Sequence, residues 1–261
     1  MLRPPALSHP VLLMGWLSLV LCLDRDAGGG GIWLQRGLGI ATWGVLLIAL
    51  HWFTPLVRTQ ALVVVAFAAV IELVFSPTLE VYLYRFENVP AYVPPGHGLV
   101  YLSAWALGHT AFVRRHLTSL SYAVVILGGL WAGWGLRGGD VLGTFWFVCL
   151  VGFLLWGPSR GVYVGAFVVV SHLELLGTGL GNWVWQSHDP ILGIGIGNPP
   201  TGAAGGYGWF DLVALLVAPW LLTRLRRLRT RFGANQPDPA RISPEGARPQ
   251  DPSPTSTGAV T

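Results

Sequence analysis

The sequence predicts an all-α, polytopic transmembrane helical bundle of about eight spans with a disordered C-terminal tail. Three observations predict it. Eight apolar stretches lie along residues 8–223, and a spanning helix needs about 20 largely apolar residues. Only 11% of residues are charged, against roughly 25% in a soluble domain, and mean hydropathy is +0.56. Tryptophan is abundant, at 13 residues, which suits a chain with many membrane–water interfaces.

The candidate spans are 8–23, 37–54, 58–76, 96–113, 119–136, 141–157, 159–177 and 209–223. The first has Arg3 as its only basic flank and no A-x-A site after it, so it reads as a retained anchor rather than a cleaved signal. The third carries Glu72. The connection from Pro77 to Pro95 follows, and Pro90, Pro94 and Pro95 preclude a continuous helix there. Glu80 to Tyr84 reads as a helix tail or as an extended piece. The whole connection is either an interfacial loop or a rigid lid over a cavity. Span four sets His97, Tyr101, Trp105 and His109 at steps of four, on one helix face. Span seven carries Glu174. The connection from Thr178 to Gly208 is Gly-rich and too long for a simple link. Within it, Trp183 and Trp185 read as interfacial anchors, and Asn198-Pro-Pro as a turn. Asp211 opens span eight. Residues 1–234 form the transmembrane domain. Residues 235–261 are rich in Pro, Ser and charge without apolar periodicity, as in disordered segments. No internal repeat is evident.

Arginine placement predicts the orientation. All 16 basic residues are Arg, and five fall within Arg224–Arg231, directly after the last span. With that end cytoplasmic, ten Arg fall inside and four outside across the eight spans. The expected product is a multi-pass cell-membrane protein with both termini in the cytoplasm. The Arg cluster reads as a stop-transfer anchor beside anionic lipid, not as a nucleic-acid site. The lipid bilayer is the partner expected, and protein partners are unspecified.

An ionised carboxylate in hydrocarbon costs roughly 2.5–3.5 kcal/mol on insertion scales, so such a residue usually faces a partner, a cavity or a ligand. Glu72, His97, Glu174 and Asp211 all fall toward the outer face in this topology, and the two long connections lie there too. Glu72 and Glu174 are therefore the candidate catalytic residues. His97, Tyr101, Asn182, Trp185, Asn198 and Asp211 are candidates for binding substrate. The bland alternative is that the carboxylates pair between helices and the histidines are packed and hydrogen-bonded. His172-Leu-Glu174 is a poor metal motif, because positions i and i+2 point about 200° apart on a helix. No spacing requires a metal across helices from Glu72, His97, Glu174 and Asp211, and no haem-type histidine pair is present. No metal or cofactor is expected. Cys22 and Cys149 lack metal-ligand spacing.

Several of these residues occur in a recognisable order. Glu72 is followed by Tyr82-x-Tyr84, then Val89-Pro90 with Pro94 before the next span. Later come Trp183-x-Trp185, Asn198-Pro-Pro and Gly208-Trp-Phe. This order resembles multi-pass carotenoid-biosynthesis proteins of the carotenoid hydratase type, over roughly residues 65–110 and 174–215. The chain departs from that pattern around Tyr-x-Tyr, where a Gly-rich stretch is missing, and at His97, where an aromatic is usual. The resemblance implies water addition to an isoprenoid double bond, with Glu72 or Glu174 as the acid. The leading expectation is a membrane-embedded enzyme or binding protein for a lipid or isoprenoid, with its polar site near the outer leaflet. The alternatives are a non-catalytic accessory or assembly subunit and a small-solute transporter.

Overall fold

The structure is a computed structural model and describes residues 7–25 and 30–233. The tail expected from Asn235 lies outside the described residues. In chain order the elements are α1 (Ser8–Leu23), α2 (Ile32–Leu50), α3 (Pro55–Leu73), a π-helical turn (Val74–Thr78), β1 (Tyr82–Tyr84), α4 (Val93–Gly108), α5 (Ala111–Arg115), α6 (Leu117–Arg137), α7 (Val141–Trp156), α8 (Arg160–Gly179), β2 (Trp183–Trp185) and α9 (Ala203–Gly233). Residues up to Leu222 form one compact unit. From Thr223 the described chain continues α9 to Gly233.

The architecture is an all-α bundle with several long apolar helices. Among the described residues five are long and apolar enough to cross a membrane: α2, α3 with its π turn, α6, α8 and the first part of α9. Helices α1 and α7 are apolar but shorter. The expected fourth span is reshaped. Helix α4 has 16 residues, or about 24 Å at 1.5 Å per residue, short of the roughly 30 Å hydrocarbon core. It ends at Gly108 because Thr110 adopts extended backbone and caps α5, accepting a bond from Val113 N at 3.3 Å. His109 therefore lies past the helix, stacked on Trp105 at 4.1 Å.

Local chemistry sets the other ends. Thr54 caps α3 with Pro55 in its first turn, where the missing proline N–H costs nothing. Arg58 donates to Phe53 O at 2.7 Å and His51 O at 3.1 Å, and Arg160 donates to Leu154 O at 2.9 Å. These arginines satisfy carbonyls that a helix C-terminus leaves open. Asp140 caps α7 through Gly143 N at 2.9 Å. Its carboxylate also accepts from Gly197 N, Thr201 N and Thr201 Oγ1 at 2.7–2.8 Å, which pins the second long connection to the α6–α7 turn.

Helix α4 is the central pillar, buried along nearly its whole length. It crosses α8 at backbone contact. A β-carbon added at Gly108 would come within 2.1 Å of Gly161 O, and one at Gly165 within 2.2 Å of Ala104 O. Small residues that admit such close approach recur at helix interfaces in membranes.

Both long connections lie at one end of the bundle, where β1 and β2 pair antiparallel as a two-stranded ribbon: Tyr82 with Trp185, Leu83 with Val184, Tyr84 with Trp183. Exposed tryptophans flank the helix ends, Trp33 and Trp134 at the ribbon end and Trp52 and Trp156 at the other, the placement expected of interfacial aromatics.

Candidate functional site

The site starts from the two helices whose C-terminal turns carry Glu72 and Glu174. Each helix runs into a connection that returns as one strand of the ribbon. Side chains alternate across a strand, so Tyr82 and Tyr84 share one face and Trp183 and Trp185 share one face. Both pairs turn inward. Trp183 and Trp185 are thus not the interfacial anchors expected. They donate indole N–H bonds to Glu174 Oε2, both at 3.1 Å. The Tyr82 and Tyr84 hydroxyls donate to Glu72 Oε2, both at 2.8 Å. The Tyr82 and Trp185 rings lie 4.5 Å apart, joining the two halves. Gly177 makes room for this, since a β-carbon there would come within 2.0 Å of the Trp183 ring.

The other oxygen of Glu72, Oε1, faces His97 Nε2 at 3.3 Å. His97 Nδ1 lies 3.1 Å from Val93 O. A carbonyl only accepts, so that bond fixes a proton on Nδ1. His97 Nε2 is thereby the ring nitrogen left to face Glu72 Oε1. The imidazole is held between Tyr207, at 5.1 Å and 5° between planes, and Phe210 at 5.3 Å. Tyr207 is also a side-chain partner of Glu174. Burial first, and the Glu72 carboxylate next, push the Tyr82 and Tyr84 phenols well above their ordinary range. Both hydroxyls therefore remain protonated donors.

Glu72, His97 and Glu174 line one cavity of about 500 Å³, otherwise mostly aromatic and aliphatic, with Trp185 and Asp189 also in its wall. The remaining residues singled out from the sequence lie elsewhere. Asp211 does not line the cavity. From α9 the cavity takes Ala203, Gly206, Tyr207, Trp209, Phe210 and Val213, and Asp211 sits buried in the field of Tyr101 and Tyr163. Its Oδ2 has no hydrogen-bond partner among the described residues. Tyr101 donates to Gln60 at 2.9 Å. Asn182 ties α8 to α1, donating to Leu21 O at 3.1 Å. Asn198 accepts from Trp185 N at 3.2 Å, steadying β2. Among the described residues no group of three His, Cys, Asp or Glu could hold a metal ion.

A second buried network had no counterpart in the sequence reading. Arg85, directly after β1, donates to Asp24 Oδ1 at 2.6 Å and to Gly30 O at 2.7 Å. Gln35 and Tyr92 donate to Asp24 Oδ2 at 2.9 and 2.8 Å. Asn88 donates to Gln35 at 2.9 Å. This clamp fixes the strand that aims both tyrosines at Glu72. Its only trace in the sequence is Asp24 at the end of an apolar run.

No family model, curated protein or solved structure matches the chain.

Proposed function

We propose that this is a multi-pass membrane protein that takes the apolar, unsaturated part of a lipid or isoprenoid into the cavity, with Glu72, His97 and Glu174 moving protons at it. The observation that carries this reading is the meeting of two buried carboxyls and an imidazole in the wall of one apolar cavity. Buried ionisable groups inside a membrane protein are costly and are most often functional. The reaction class we favour is hydration of an isoprenoid double bond, as the motif order implies. A proton held between Glu72 and His97 adds to one alkene carbon, and the π electrons form that C–H bond. The cation left on the neighbouring carbon faces aromatic rings, which attract cations. Water adds to it and loses its proton to Glu174. One proton is delivered and one recovered, and exchange with solvent resets the pair.

A second reading is favoured by one observation: Glu72 Oε2 and Glu174 Oε2 each accept two donors, which would suit carboxylates that only tie helices together in an accessory subunit. Substitution separates the two readings. Glu72→Gln and Glu174→Gln keep shape and remove proton transfer. Lipid extracts of a deletion strain complemented with each variant are the test. The enzyme reading expects an unsaturated isoprenoid to accumulate and its hydroxylated product to vanish. Extracts identical to those of the parent would reject it. In the proposed orientation the ribbon end faces outward, and both termini are cytoplasmic.

A further inference from the structure

The hairpin His188–Gly195 plays no part in the carboxylate chemistry. It closes through the His188–Gly195 bridge, with Asp189 N donating to Ile194 O at 2.7 Å and Gly193 N to Asp189 O at 2.8 Å. The Asp189 carboxylate accepts from Ile191 N at 3.0 Å and from Leu192 N at 2.6 Å. These bonds fix the tip and aim two adjacent aliphatic side chains away from the protein. Ile191 is 66% exposed and Leu192 74%. The hairpin is seated on the α6–α7 turn, where Gly195 O accepts from Val141 N and Leu142 N at 3.0 and 3.1 Å. Exposed Trp134 stands in the last turn of α6, beside that seat.

We propose that this hairpin is a finger whose two tip side chains, Ile191 and Leu192, dip into the headgroup–acyl boundary of the lipid leaflet at the ribbon end. Irregular backbone is not tolerated in hydrocarbon, so the tip backbone stays at headgroup depth, where the Asp189 carboxylate satisfies the two tip amides and water serves the tip carbonyls. Interfacial tryptophan marks headgroup depth, and Trp134 does so at the turn that carries the finger. The exposed polar residues Gln186, Ser187 and His188 form the base, as suits headgroup contact. Asp189 also lines the cavity, so the finger's internal brace is part of the cavity wall. The proposal rests on the membrane-spanning reading and not on the chemistry at Glu72.

The test is collision accessibility of a nitroxide on Leu192→Cys, in a Cys22→Ser/Cys149→Ala background, reconstituted in phosphatidylcholine vesicles. Leu127→Cys on the exposed face of α6 and Ser187→Cys at the finger base serve as references. A Leu192 label several-fold more accessible to oxygen than to an aqueous nickel chelate, resembling Leu127 and unlike Ser187, is the expected result. An aqueous Leu192 label with Leu127 in lipid overturns the finger and leaves the membrane reading standing. An aqueous Leu127 label overturns both. Ile191→Cys gives the same readout should Leu192→Cys express poorly.

Discussion

At the scale of single residues, Glu72 and Glu174 were legible because a carboxylate in an apolar run is conspicuous. Their partners were not. Tyr82-x-Tyr84 and Trp183-x-Trp185 are each spaced for a strand face, and that period was the available signal. Three-residue strands inside proline- and glycine-rich connections carry too little periodicity to stand out. Both Gln variants should fold, with melting temperatures near the parent's, since the amide oxygen still accepts from the same donors. A collapse of the melting temperature in either would point to a structural carboxylate. A pH dependence belongs here as well. Burial first, and the neighbouring Glu72 or Asp24 carboxylate next, hold Tyr82, Tyr84 and Tyr92 in the neutral form. Unfolded phenols ionise at about pH 10. The native state retains those protons, so stability is complete below about pH 10 and falls as pH rises toward the folded values. Tyr82→Phe/Tyr84→Phe should flatten that alkaline slope in thermal melts. An unchanged slope would show that the phenols do not carry it.

At the scale of elements, the helices were readable and their lengths less so. Hydropathy cannot tell lipid from protein as the surroundings of an apolar run, so nothing in it set enclosed α4 apart from the lipid-facing helices. The break at Gly108 depends on Thr110 capping, a signal masked by the apolar residues around it. Arg85 stands in the first long connection with no sequence signal of burial, yet its side chain is buried against Asp24. Removing one partner of a buried pair costs about 3–5 kcal/mol because the other charge is stranded. Arg85→Ala should lower stability by an amount of that order and should also free Tyr82 and Tyr84 from Glu72. Arg85→Ala/Asp24→Ala should recover part of the loss in a double-mutant melt. A single variant as stable as the parent would remove the clamp from the account.

At the scale of the whole molecule, a bundle of apolar helices was plain from the sequence, and the arrangement of the site was not. Convergence of polar groups on one end brought Glu72, Glu174 and His97 to one cavity, but depth alone does not fix rotation about a helix axis, and Asp211 points elsewhere. Orientation rests on arginine counts. Reporter fusions after Ala27, Arg115, Gly138 and Ala234 should read outside, inside, outside and inside. An inside signal at Gly138 would reverse the assignment. The ribbon has a consequence for the chain as a whole. Its strands come from stretches about a hundred residues apart in sequence, and each follows the helix whose carboxyl it serves. Because alternation in a strand has a period of two, a slip of one residue turns every side chain to the opposite face. The two acids are therefore wired to a single phase. An insertion of one residue beside Leu83 would strip Glu72 of its phenols and, through the shared register, unsettle the indoles of Glu174 on a helix that the insertion never touches.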